Sequence, residues 1–256
     1  MVLLNIFIFL FGLIIGSFLN VLIYRLPIRQ NWIYQRSFCP NCKTQIPFYR
    51  NIPLLSFFLQ RGRCHNCSQK ISYQYPMIEF FLGVVFVFLF PKNISIPNMV
   101  NYFFLISIFS AFVVHFIIDI RHHILPDEIN IYLAALFVLY GLYYFSFLYV
   151  IVGGFVGFFI PYFVAYVFYK YKGVEGLGGG DIKLFGALGF YLGPQGIMTN
   201  IFLSCFLGSA IGVLLIFLGK LDKNKPLAFG PFIIISAFFQ IFFPEQMSQL
   251  RLYIGF

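Results

Sequence analysis

Residues 147–184 read FLYVIVGGFVGFFIPYFVAYVFYKYKGVEGLGGGDIKL. Positions 147–169 carry no charged side chain. An α-helix rises about 1.5 Å per residue, so this run matches the ~20 residues needed to cross a hydrocarbon core of about 30 Å. Lysines follow at 170 and 172, then five glycines within 173–180, then Asp181 and Lys183 at the head of another apolar run. Inside lipid every backbone polar group must be paired within the protein, which makes uninterrupted apolar runs helical. The stretch therefore predicts a membrane helix, a glycine-rich connection, and a second helix entered through an aspartate.

The same pattern repeats outward in both directions. Apolar runs occur at about 2–24, 76–91, 99–118, 129–145, 147–169, 182–193, 196–219 and 228–243. The chain of 256 residues is 61% hydrophobic and 10% charged, against about 25% charged for a soluble domain. The expectation is an all-α polytopic membrane protein of about eight transmembrane helices with a small zinc-binding loop on the cytoplasmic side. Its parts would be a first helix at 1–24, a hydrophilic cysteine-rich loop at 25–75, and a helical bundle at 76–256. The first run has no basic segment before it and no small-residue cleavage site, and its first positive charge, Arg25, comes after it. It reads as a retained helix rather than a cleaved signal.

The net charge of +9 explains itself by position. With eight spans and both termini outside, the inner loops hold Arg25, Arg29, Arg36, Lys43, Arg50, Arg61, Arg63, Lys70, Arg121, Lys170, Lys172, Lys183, Lys220, Lys223 and Lys225. Only Lys92 and Arg251 of the 17 basic residues remain outside. That asymmetry follows the positive-inside rule and needs no nucleic-acid partner, with contact to anionic lipid as an accompaniment.

The long inner loop carries FCPNC and RCHNC, which supply Cys39, Cys42, Cys64 and Cys67. Each C-x-x-C pair turns two thiolates toward one point, and two pairs complete a tetrahedral S₄ site suited to zinc. A reducing cytoplasm disfavours the alternative of two disulfides, which would need the loop outside. Four thiolates leave no open position for water, so the zinc would be structural. Cys205, within the seventh run, reads as a packed small residue.

Carboxylates are few. Asp222, Glu245 and Glu175 have ordinary loop readings, and Glu79 reads as a first-turn acid favoured by the helix dipole. Asp127 follows Leu-Pro ahead of a helix, where an N-cap is its default role. Asp119 ends an apolar run, where a helix C-terminus repels a carboxylate, so capping does not account for it. Asp181 would also serve as an N-cap, but capping does not call for Gly178, Gly179 and Gly180 before it. Consecutive glycines permit positive φ and close backbone approach. Two close carboxylates share a proton, one acting as base on water and the other as acid. From the residues alone, an aspartic hydrolase and a proton- or cation-coupled transporter both stay open.

GLGGGDIKLFGALG (176–189) resembles the GxGD motif of the type IV prepilin leader peptidases. DIRHHILPDEIN (119–130) resembles that family's other aspartate block, and GSFLNVLIYRLP (16–27) its opening motif. The segment CPNCKTQIPFYRNIPLLSFFLQRGRCHNCSQKISYQYPMIEF (39–80) and FGPF (229–232) resemble further blocks, so the likeness runs through nearly the whole chain. Where AFGPF stands, PFGPF is common in the family. The resemblance implies catalytic Asp119 and Asp181, with Gly178, Gly180, Lys183 and Asp127 in support. It implies cleavage of the leader of type IV prepilins or type II secretion pseudopilins after a glycine, at the cytoplasmic face of a bacterial inner membrane. The cysteine-rich loop further implies N-methylation of the new terminus with S-adenosylmethionine as donor. No nucleotide-binding glycine turn marks where that donor would sit. A scaffold that docks other pilus or secretion components through the zinc loop is a third reading.

Overall fold

In the computed structural model, residues 1–174, 176–219 and 227–254 are described, with side chains described as far as 249. The loop readings of Glu175 and Asp222, and the side of the membrane assigned to Lys220, Lys223, Lys225 and Arg251, lie outside the residues or side chains so described. Among the described residues the regular elements are helices, with isolated bridges at Phe38–Gln45 and Arg63–Lys70. They are α1 (Val2–Arg25), α2 (Leu55–Leu59), α3 (Gln74–Leu89), α4 (Ile96–His122) and α5 (Asp127–Tyr144). Then come α6 (Phe147–Lys172), α7 (Gly179–Phe217), α8 (Gly230–Phe242) and α9 (Pro244–Ile254). Four of them, α1, α4, α6 and α7, are long and apolar enough to cross a membrane, and α3 and α8 are shorter apolar helices. The chain is thus an all-α, polytopic membrane protein. Two compact units divide it, Met1–Ser110 and Ala111–Phe256.

The sixth and seventh apolar runs are two helices that meet, at the boundary expected between them, in a kink within the continuous element α7. It breaks at Gly193, whose φ of 67° and ψ of −178° only glycine adopts readily, just ahead of Pro194. The break frees carbonyls that lipid would leave unpaired. Tyr149 answers one of them, donating its hydroxyl to the Leu192 carbonyl at 2.8 Å.

Small residues set the helix contacts in each unit. In the first unit a Cβ on Gly12 would stand 2.7 Å from the Gly83 Cα, and one on Gly16 would stand 2.7 Å from the Glu79 Cα. Bare backbone thus lets α1 and α3 touch. Gly153 and Gly157 do the same for α6 against the backbone of Gly189 and Phe185 on α7. Lipid supplies no hydrophobic drive between helices, so close van der Waals packing at such small-xxx-small faces carries the association. Ser146 caps α6 by accepting from the Tyr149 N–H at 3.4 Å, and Gly173 ends it in the left-handed region at φ 70°.

The loop between α1 and α3 is built around groups that its sequence gave no reason to single out. Arg25 is 3% exposed, and its guanidinium donates to the carbonyls of Asn31, Gln35 and Arg36 at 3.3, 2.7 and 3.0 Å. Asn20, also buried, donates to the carbonyls of Gly16 and Tyr75, both at 3.2 Å. Glu79 is not a first-turn acid: α3 begins at Gln74, and the Glu79 carboxylate lies buried and accepts from the Leu54 N–H at 2.8 Å. That bond holds Leu54 at φ 58°, an unfavourable region for a branched side chain. Cys205 is exposed on α7 rather than packed.

Candidate active site and cysteine centre

Two sites emerge, one in each unit. The first is the cysteine centre. Cys39 and Cys42 lie on one turn, Cys64 and Cys67 on another, and the two turns repeat each other bond for bond. Lys43 N–H donates to the Cys39 carbonyl and Ser68 N–H to the Cys64 carbonyl, each at 2.9 Å. Cys39 N–H reaches Thr44 O at 3.0 Å and Cys64 N–H reaches Gln69 O at 2.8 Å. Lys43 and Ser68 both take positive φ, at 58° and 56°, which reverses the chain after each second cysteine. The four Sγ atoms lie within 4.8 Å of one another, and no disulfide joins them. Such a cluster could coordinate a metal ion.

The environment of each thiol differs. Burial pushes Cys39 up to about 11, whereas hydrogen bonding with Thr44, side chain first and then backbone, draws Cys42 down to about 6. Backbone N–H groups of Cys67 and Asn66 lower Cys64. Asn66 Nδ2 also donates to Thr44 Oγ1 at 2.9 Å, tying one turn to the other. Beside the second turn lies a cleft of about 480 Å³ lined by Tyr49, Arg50, Ser56, Gln60, Arg63 and His65 among others.

The second site gathers the aspartates. Asp119, in the last turn of α4, is 4% exposed, and its Oδ2 accepts from the Gly230 N–H at 3.0 Å. Asp181 is the third residue of α7, whose N-cap is Gly178. It is therefore not the N-cap. Its carboxylate lies against Gly178, where a Cβ would stand 3.0 Å from Oδ2, and it lies close enough to Asp119 to feel that group's charge. Leu125 fills the space around both. A Cβ on Gly180 would stand 3.0 Å from the Leu125 Cβ, and one on Gly230 would stand 3.1 Å from the Leu125 Cδ2.

The three glycines before Asp181 do not use positive φ. Gly180 is small because Leu125 abuts it, whereas a Cβ on Gly179 would meet nothing within 4 Å. Gly178 starts the helix with an extended backbone at φ −67° and ψ 143°. The close approach expected of this stretch is realised; the unusual backbone is not.

Asp127 stands one residue inside α5, after Pro126 at the N-cap, and makes no cap bond. Both its carboxylate oxygens accept from Lys183 Nζ, at 2.7 and 2.9 Å, with both side chains about half exposed. Lys183 is thus the partner of Asp127 rather than of Asp181, its neighbour in sequence. Behind Asp181, and unforeseen, is a buried polar pair. His115 Nε2 lies 3.1 Å from Asn130 Oδ1, and Asn130 Nδ2 donates to the Gly180 carbonyl at 3.4 Å. Asn130 closes the quoted aspartate block, yet nothing in its spacing to Asp181 announced a contact.

Membrane helices that bring two carboxylates together at helix ends, beside glycine backbone, define a class: polytopic membrane proteins with the groups for paired-carboxylate acid–base chemistry. Residues 10–92 match the bacterial peptidase A24 N-terminal domain, and residues 104–213 match the type IV leader peptidase family. A prepilin leader peptidase/N-methyltransferase of Pectobacterium carotovorum is 35% identical over 251 residues, covering 89% of each chain. One from Vibrio cholerae is 32% identical over 92% of this chain and 95% of its own, and one from Aeromonas salmonicida 31% over 94% and 91%. This chain belongs to the type IV leader peptidase family. No solved structure gives a significant match.

Proposed function

We infer that this chain is a bifunctional prepilin leader peptidase and N-methyltransferase, an aspartic endopeptidase working from within the membrane. The observation that carries the reading is the juxtaposition of Asp119 and Asp181 around Leu125 in a chain of this family. One carboxylate takes a proton from water as the oxygen attacks the scissile carbonyl. The other protonates the carbonyl oxygen, and the proton taken from water passes from the first carboxyl to the leaving amine as the C–N bond breaks. Gly230 aims Asp119 through its N–H group, and Gly178 leaves space beside the Asp181 carboxylate. Open space at Gly179 leaves room for an extended peptide.

The chain divides functionally into a first helix at 1–24, a cysteine-rich loop at 25–75 and a peptidase bundle at 76–256. Eight spans are the arrangement most consistent with the charge pattern: both termini outside and the active site at the cytoplasmic face of the bacterial inner membrane. The eight-span count takes the break at Gly193 as the boundary between the sixth and seventh spans. The substrate is a prepilin or pseudopilin whose apolar helix lies in the bilayer, with its basic leader on the inner side. The ion-coupled transporter reading has less support, because the acidic and basic side chains buried among the described residues of α3 to α8 are confined to Asp119, Glu79 and His115.

Cys39, Cys42, Cys64 and Cys67 would hold one zinc ion, closed to solvent water and therefore structural. S-adenosylmethionine would supply an electrophilic methyl group to the new N-terminal amine. The cleft beside the second cysteine turn suits part of it: Arg50 and Arg63 match its carboxylate, and Tyr49 offers a ring face to its purine. The test is incubation of the purified full chain with a prepilin-like substrate, with and without S-adenosylmethionine, read by mass spectrometry. Loss of the leader, with one added methyl group only when the donor is present, is expected. An intact substrate with active relatives run alongside would sink the reading.

A further inference from the structure

The catalytic carboxylates leave one buried ionisable side chain of the second unit without a role. His115, on α4 one turn before Asp119, is completely buried. Its Nε2 faces Asn130 Oδ1 at 3.1 Å, and its Nδ1 has no hydrogen-bond partner. Asn130, 4% exposed on α5, directs its amide nitrogen to the Gly180 carbonyl. An amide that donates through Nδ2 presents Oδ1, a pure acceptor, to its other neighbour. His115 Nε2 must therefore carry a hydrogen, and Nδ1 is a bare lone pair. The direction of donation is fixed along the whole chain: His115 to Asn130, Asn130 to Gly180.

Gly180 is the residue immediately before Asp181. Its carbonyl lies in the first turn of α7, and its missing Cβ lets Leu125 press against the same backbone. We propose that His115 is a positioning residue for the peptidase: through Asn130 it fixes the Gly180 peptide and hence the height and rotation of the Asp181 carboxylate against Asp119. The pair touches neither water nor substrate in this role. Its contribution is to hold a glycine-flanked helix start, which has little side-chain packing of its own, in a single register. A misplacement of about 1 Å at a reacting group costs on the order of 10²-fold in rate, whereas substrate binding depends on groups elsewhere.

This inference rests on the peptidase reading, and the experiment separates the two. In steady-state cleavage of a prepilin-like substrate, His115→Leu keeps apolar bulk and loses the donor, and should lower kcat on the order of 10- to 100-fold with KM little changed. His115→Gln places an amide N–H near the Nε2 position and should recover most of the rate. Asn130→Asp keeps an acceptor for His115 but loses the donor to Gly180, and should fall as His115→Leu does. It carries the test if His115→Leu fails to insert. His115→Leu combined with Asn130→Asp should cost no more than the worse single change. Nitrogen-15 NMR of labelled histidine, resolved by comparison with His115→Gln, should show a hydrogen on Nε2 and none on Nδ1. Equal rates for wild type and His115→Leu, a Gln variant as poor as Leu, or a loss confined to KM would overturn the proposal. Asp181→Asn run in parallel guards the reading beneath it: an active Asp181→Asn enzyme refutes the peptidase assignment itself.

Discussion

The backbone N–H of Gly230 donates to Asp119 Oδ2 at 3.0 Å, joining residues 111 positions apart in the chain. The same glycine has no room for a side chain, since a Cβ there would stand 2.7 Å from that carboxylate oxygen and 3.1 Å from Leu125. The FGPF segment therefore touches the aspartate directly, through the backbone of its glycine. Gly230→Ala should leave the protein inserted and reduce leader cleavage at least about tenfold, because the added methyl group displaces Asp119. Cleavage kinetics, with melting temperature in detergent as the folding control, check it. A wild-type rate would show that Asp119 is not held in its working position here.

Replacing either proposed catalytic aspartate removes one of two proton carriers. Asp119→Asn and Asp181→Asn should each lower cleavage by at least about 10²-fold, while methylation of a pre-cleaved substrate continues. A mass-spectrometric assay on the two substrates separates these outcomes.

Asp127→Asn should be mild. The ion pair with Lys183 is about half exposed on both sides, and such pairs contribute about 0–1 kcal/mol. A rate within about threefold of wild type is expected, and high salt should reproduce the effect in the unaltered protein. A dead Asp127→Asn enzyme beside an active Asp119→Asn enzyme would move the catalytic role to Asp127.

The cysteine centre should separate the two chemistries. Cys39→Ser with Cys42→Ser should release zinc and impair methylation more than cleavage, since the cleft with Arg50 and Arg63 is walled by the second cysteine turn. Metal binding requires thiolates, and protons compete for them. Occupancy should therefore fall as pH falls, and Cys39, pushed up by burial, gives up the largest proton affinity on binding. Elemental analysis across a pH series reads both points. A zinc-free wild type with four reactive thiols would remove the metal.

Glu79→Ala should loosen the loop without unfolding the helices. It leaves the Leu54 N–H unpaired, costing about 1–3 kcal/mol, and frees Leu54 from its positive φ. Trypsin should cut faster at Arg50, Arg61 and Arg63. Unchanged proteolysis would show that Glu79 does not hold the loop.

Much of this arrangement was legible because lipid simplifies the problem: backbone pairing forces helices, and long apolar runs announce them. The two C-x-x-C pairs were equally legible, since their geometry is local. Contacts that join distant elements were not. Glu79 looked like a helix-start acid because sequence cannot show that a loop residue 25 positions away needs an acceptor. Asp127 and Asp181 both satisfied the composition of an N-cap, but the helices began at Asp127 itself and at Gly179, one and three residues earlier than that role requires. The break at Gly193 was legible too, because glycine followed by proline within an apolar run signals a boundary. His115 carried no signal at all: its partner lies on another helix, and a lone histidine in an apolar run is silent about what it faces.

Arg25 carries a further consequence. At the end of α1 it has one meaning while the chain is being made and another when it is finished. An emerging first helix exposes Arg25 as a free charge, which any cation would replace. Once residues 31–36 have followed, three carbonyls enclose the guanidinium and only its forked donors fit them. The order of events is built into one side chain, with anchorage first and closure of the loop after it. Lysine would serve the first event and fail the second.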